Sequence, residues 1–274
     1  MLALIRRQTR MLRVMAWTSG VVSWASLLER FRIGQGAQDV DGLNARYKMH
    51  WVRGAVHIVG LDVHVVRGIP SPDVERGRLI IANHRTPLDI LALLSLFGGY
   101  FLANHRVARA PVVGRGAHRI GTVFVDREDR KSGVAAIRTM RRLLEQKRTM
   151  IVFPEGTTFE GDEVRPFKGG AITAAGGLPV DIVPVGIVYA PGHELGSGRM
   201  GDHVRSFLGR RRTSTWVAIG DPIPVPQDRK GLDAVLRDRV QELVAEARRA
   251  SIAALGARTE HVLSAEGTNE TETG

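Results

Sequence analysis

Apolar positions in the middle of the chain fall into short runs that stop at glycine, proline or charged residues, the pattern of buried strands. Arg78 to Ala82, Thr149 to Phe153, Asp181 to Ala190 and Ser214 to Ile219 read in this way. Gly121 to Arg127 is a further strand ending in arginine, and Tyr100 to Ala103 a short one. Leu61 to Arg67 alternates and predicts a half-exposed strand. Between these runs the spacing becomes helical. Thr86 is a good N-cap and Pro87 suits the first position of an apolar helix reaching Leu96, closed by Gly98 and Gly99. Val134, Ile137, Met140, Leu143 and Leu144 form one helical stripe, with Arg138, Arg141 and Arg142 outside it. Leu232, Leu236, Val240, Leu243 and Ala247 mark the apolar face of a C-terminal helix. Met49 to Gly60 fits either a helix or a strand, and Phe31 to Asp41 reads as a connection.

At the N-terminus, Arg6, Arg7, Arg10 and Arg13 precede an uncharged stretch from Val14 to Leu28 that contains Trp17 and Trp24. Its fifteen residues fall short of the roughly 20 apolar residues of a spanning helix. The pattern suits one or two helices lying in a membrane interface, with tryptophan at headgroup depth and arginine facing anionic lipid. A helix packed on the domain is the competing reading. The expected organisation is a membrane-association segment and connection over 1–45, a catalytic domain over 46–225, a C-terminal amphipathic helix over 226–256 and a disordered polar tail over 257–274.

Composition narrows the chemistry. The 274 residues are 43% hydrophobic, ample for a core. A net charge of +11 calls for an anionic partner, whether nucleic acid, membrane surface or phosphorylated substrate. Nucleic acid is disfavoured by 5% aromatics and by arginines spread along amphipathic helices without a recognition motif. The chain has no cysteine, no Gly-x-Ser-x-Gly elbow and no metal-ligand spacing, so no covalent enzyme intermediate is required and no metal or other cofactor is expected.

The candidate chemistry lies in Asn83-His84-Arg85-Thr86-Pro87-Leu88-Asp89. On one continuous helix His84 and Asp89 would point about 140° apart. Across a strand-to-helix turn they can meet, leaving the imidazole an oriented base with the carboxylate behind it. Thr86-x-x-Asp89 is also close to a capping box, and that bland reading stands beside the catalytic one. Three further blocks follow in order: Gly121 to Asp126-Arg127, Phe153-Pro154-Glu155-Gly156-Thr157, and Val183-Pro184-Val185.

In motif and in order, the four blocks resemble the glycerolipid acyltransferase family over about Met49 to Pro224, the 1-acyl-glycerol-3-phosphate acyltransferases being its best-known members. The resemblance implies an α/β fold, a mixed central sheet flanked by helices, with the site at the ends of the strands carrying His84, Arg127 and Glu155. It implies His84 as general base oriented by Asp89, and Arg127, Glu155, Gly156 and Thr157 around the acceptor. It also sets Pro184 beside the acyl donor. Arg127 offers a planar fork matched to phosphate. Gly156 lets the backbone approach closely, and its surroundings are a guess for the oxyanion donors. Lys168 either adds to an anion site or is a plain surface lysine. Asn104-His105 stands where many relatives carry a lysine, and Thr157-Thr158 is the form common in lyso-ornithine lipid acyltransferases. His105 and His118 are assigned no catalytic role.

The implied reaction moves a fatty acyl group from acyl-CoA or acyl carrier protein to the hydroxyl of lysophosphatidate, at the cytoplasmic face of the membrane. Lyso-ornithine lipid is the alternative acceptor. A His84/Asp89-dependent thioester hydrolase is the reading from another class, and the oligomeric state is left open.

Overall fold

The computed structural model describes residues 1–34, 40–68, 76–109, 113–119, 121–126, 128–191, 193–194 and 200–269. In chain order the elements are α1 (Leu2–Gly34), α2 (Val40–Val59), β1 (Leu61–Val65), β2 (Gly77–Ala82), α3 (Leu88–Phe97), β3 (Tyr100–Asn104), α4 (His105–Ala108), α5 (Val113–Arg119), β4 (Val123–Val125), α6 (Arg130–Glu145), β5 (Thr149–Val152), α7 (Gly170–Ala175), β6 (Val180–Tyr189), α8 (Met200–Gly209), β7 (Thr213–Ile219), β8 (Ile223–Pro224) and α9 (Leu232–Asn269).

The strands form one mixed eight-stranded sheet in the order β1-β7-β6-β2-β5-β3-β4, with β8 on β6. The strands β6, β2, β5, β3 and β4 run parallel, so their C-terminal ends share one edge. β7 runs antiparallel to β6 and parallel to β1. Helices cover both faces, which is why the central strands read as unbroken apolar runs. The strand period of two then splits each run between two cores. Leu79 and Ile81 join the core with Met140, Ala171 and Val240 under α6, α7 and α9. Ile80 and Ala82 join Val52, Leu93 and Phe207 under α2, α3 and α8. Met49 to Gly60, open between helix and strand in the sequence, lies in α2 up to Val59 because Val52 and Val59 place one face of a helix on this second core.

Pro184 is buried in the middle of β6. The strand tolerates it because the partner changes there: Asp181 and Ile182 pair with β8, and Val185 onward with β7. Pro184 O accepts from Gly220 N at 2.9 Å, where the chain leaves β7 toward β8, and the missing N–H falls on that same side.

A single 33-residue helix, α1, packs against α2, α8 and α5. Arg6 donates to Gly209 O at 3.1 Å, and Arg10 donates to the carbonyls of Arg210 and Arg211. These cations thus meet the negative end of α8 instead of facing lipid as expected. Trp17 Nε1 donates to Trp51 O and Trp51 Nε1 to Thr18 Oγ1, both at 3.0 Å. The outward side keeps Leu4, Ile5, Met11, Leu12, Met15, Trp24, Leu27 and Phe31 exposed. By length and composition Leu2–Phe31 is sufficient to cross a membrane, with 11% of its most apolar 18-residue window buried. The charge-free stretch alone looked too short because apolar residues continue to either side of it. A second difference lies at the other end: α9 continues to Asn269, where a structureless tail from 257 was expected. No proline interrupts those residues.

Candidate active site

β2 ends at Ala82, and the next residue replaces a rung of the sheet with its side chain. Asn83 Nδ2 donates to Ile187 O and its Oδ1 accepts from Ile187 N, both at 2.8 Å, extending the β2–β6 pairing past the last backbone bridge. His84 follows at the parallel strands' shared edge. Its Nδ1 lies 2.8 Å from Asp89 Oδ2, and its ring stacks on Phe153 at 4.2 Å between centroids. An ionised Asp89 only accepts, so Nδ1 carries the proton and Nε2 the free lone pair. The ring retains 16% exposure, and among the described residues none bonds Nε2. An imidazole held in this way can act on an incoming hydroxyl as an oriented base.

Asp89 is fully buried and satisfies both readings of its spacing. As a cap, its Oδ2 accepts from Arg85 N at 2.6 Å and Thr86 N at 2.9 Å, while Thr86 Oγ1 accepts from Leu88 N at 3.3 Å. As an orienting group, the same oxygen holds His84. Its other oxygen accepts from Tyr189 Oη at 2.7 Å. Burial first, and then the charge of Asp89, push the Tyr189 phenol well above its usual pKa, so it is a neutral donor.

Glu155, expected at the acceptor, has internal partners instead. Its side chain is 0% exposed and pairs with Arg85, itself 1% exposed, at 3.2 Å. Oε2 also accepts from His84 N at 2.6 Å, and Oε1 from Arg165 N at 2.9 Å. Arg85 reaches on to Glu163 O at 2.9 Å. Glu155 therefore frames the His84 turn from beneath. Gly156 occupies the left-handed region at φ 83°, which a side chain would strain. Its N–H is given to Phe153 O at 3.1 Å. Thr157 is exposed. Lys168, exposed, passes over Gly156 with Nζ 2.9 Å from where a Cβ would stand.

Phe153, Pro154, Gly156 and Lys168 open onto a groove of about 360 Å³ that runs along α6, past Ile137 and Met140. Asp126 and Arg130 also line it. His105 Nδ1 lies 3.5 Å from Asp126 Oδ2, a second pairing of histidine with carboxylate at the same sheet edge. Arg127 lies outside the described residues. Pro184 is paired with Ile81 inside the sheet, set back from the strand ends. Sequence reasoning did not single out the roles of Arg85, Asn83 and Tyr189. A polar group inside an otherwise apolar run was the signal available for Tyr189.

The acyltransferase family model matches residues 46–188. A lyso-ornithine lipid O-acyltransferase of Pseudomonas aeruginosa is 30% identical over 89% of this chain and 92% of its own length. A 1-acyl-sn-glycerol-3-phosphate acyltransferase of Neisseria gonorrhoeae is 27% identical over 58% of this chain and 63% of its own. The crystal structure of the 1-acyl-sn-glycerophosphate acyltransferase PlsC of Thermotoga maritima superposes with a TM-score of 0.63 over 88% of this chain and 98% of that one, at 22% identity, a likeness of fold. With the motifs in family order and the same mixed sheet beneath them, the chain belongs to the glycerolipid acyltransferase family.

Proposed function

We propose that this lysolipid acyltransferase works at a membrane surface by direct transfer, with His84 as general base. The observation that carries the reading is His84 itself, held by Asp89 through Nδ1 at the sheet edge with no partner on Nε2 among the described residues. Nε2 takes the proton of the acceptor hydroxyl as that oxygen attacks the thioester carbonyl of acyl-CoA or acyl carrier protein. The carbon–sulfur bond then breaks, the thiolate recovers the proton from the imidazolium, and an ester remains. Asp89 stabilises the imidazolium between the two steps. The apolar groove along α6 suits a fatty acyl chain, with Lys168 at its mouth for an anionic group. Glu155, with Arg85, positions His84.

Lyso-ornithine lipid is the favoured acceptor, since the relative of that name aligns over nearly the whole chain. Lysophosphatidate is the second reading, supported by the Neisseria relative and by Arg127, whose fork of donors suits a phosphate. The apolar outward face of α1, on a helix tied to the domain through Arg6, Arg10 and Trp17, supports monotopic attachment. The net charge of +11 favours the anionic cytoplasmic leaflet.

The test is transfer of labelled acyl groups, from CoA and from carrier protein, to lyso-ornithine lipid, to lysophosphatidate and to no acceptor. Label is expected on lyso-ornithine lipid, with a loss of at least about a hundredfold in His84→Ala. Label on phosphatidate alone would select the second acceptor. Free fatty acid formed regardless of acceptor would overturn transfer in favour of hydrolysis.

A further inference from the structure

A carboxylate that orients a histidine must itself be oriented, because rotation about its Cβ–Cγ bond exchanges the lone pair that the imidazole meets. The donors on Asp89 Oδ2, namely His84 Nδ1, Arg85 N and Thr86 N, all belong to the turn that Asp89 closes. The donor on Oδ1 comes from a different element, 100 residues away in β6. We propose that Tyr189 is a positioning residue for acyl transfer, its hydroxyl fixing the Asp89 carboxylate so that His84 keeps its proton on Nδ1 and presents Nε2 to the acceptor. The proposal rests on the reading of His84 as base.

The surroundings of Tyr189 suit that task. The residue is 0% exposed, so no water competes for its hydroxyl. Its backbone pairs with Thr215 on β7, and its carbonyl accepts from Arg248 Nη1 of α9 at 2.8 Å. Two residues earlier on the same strand, Ile187 holds Asn83. β6 therefore ties down both ends of the segment from Asn83 to Asp89, by a backbone peptide at one end and a phenol at the other. Arg85, the nearest cation in sequence, turns to Glu155 and leaves the Asp89 oxygens to these donors.

Tyr189→Phe keeps the ring in the core and removes the hydroxyl alone. The experiment measures kcat and KM per folded molecule, with the folded fraction from circular dichroism, for wild type, Tyr189→Phe, Asp89→Asn, the double variant and His84→Ala. Loss of one charge-assisted hydrogen bond implies a fall in kcat of about ten- to a hundredfold in Tyr189→Phe. KM should move by less than about twofold. The double variant should be no slower than Asp89→Asn, because the phenol acts through the carboxylate. Independently of turnover, the ¹⁵N ring shifts of His84 should report one tautomer in wild type and a mixture in Tyr189→Phe. Full turnover and an unchanged His84 spectrum in Tyr189→Phe would overturn the proposal alone, as would losses that multiply in the double variant. Normal turnover in His84→Ala would overturn the base assignment and the proposal with it.

Discussion

Glu155→Gln separates a substrate contact from a frame beneath the His84 turn. In the wild-type protein the carboxylate faces Arg85 with the two side chains 0% and 1% exposed. Removing one partner of such a pair strands a buried charge, a loss of about 3–5 kcal/mol. Glutamine still offers one oxygen to His84 N or Arg165 N, but its amide nitrogen confronts the other donor, so nothing offsets that loss. For a chain of this size, at about 2 °C per kcal/mol, the melting temperature should fall by about 6–10 °C. Adding Arg85→Met removes the stranded charge, and the double variant should recover part of the fall. The assay is thermal unfolding followed by circular dichroism, together with KM for the acceptor measured well below the melt. An unshifted melt with a raised KM would refute the reasoning and return Glu155 to the acceptor.

Lys48 provides a test by pH. It is 8% exposed, donates to Gly99 O at 2.8 Å and lies 3.8 Å over the Tyr100 ring. Burial first, then the charge of Arg148, lower its pKa from 10.5 to about 8. The fold therefore disfavours the charged form. The penalty, about 3 kcal/mol, is complete below the folded pKa and is relieved as pH rises toward the unfolded value, where the unfolded chain binds more protons. Relative to Lys48→Met, wild type should gain that amount between about pH 8 and pH 10.5 in denaturant titrations, and a constant difference would refute it. The groove can be tested at Gly133, which lines it and has nothing among the described residues within 4 Å of its Cβ position. Gly133→Leu should shift preference toward shorter acyl chains, by about fourfold in kcat/KM for each methylene excluded, and an unchanged chain profile would remove the acyl chain from this groove.

The chemistry most legible in the sequence is local in the chain. His84 and Asp89 flank one strand-to-helix turn, so their spacing carries their contact, and the capping box that seemed to compete with it uses the same carboxylate oxygen. The central strands were legible for a similar reason, since burial on both faces leaves a continuous apolar run. The pairing of Glu155 with Arg85 was not legible because the two are 70 residues apart and no local pattern couples them. Pro184 was recognised as needing a break in the ladder, but the exchange of β8 for β7 that supplies it is a property of the sheet.

By itself the sequence determined the order of the motif blocks, the proximity of His84 and Asp89, the absence of a cysteine nucleophile and the amphipathic faces of the helices, most of them consequences of neighbours along the chain. Only the tertiary structure decided that Tyr189 reaches Asp89, that Asn83 is stitched to Ile187, and that Arg6 and Arg10 end α8 instead of facing lipid. Each of those contacts joins residues about 100 to 200 positions apart, and such pairings exist only once the sheet has set its strand order.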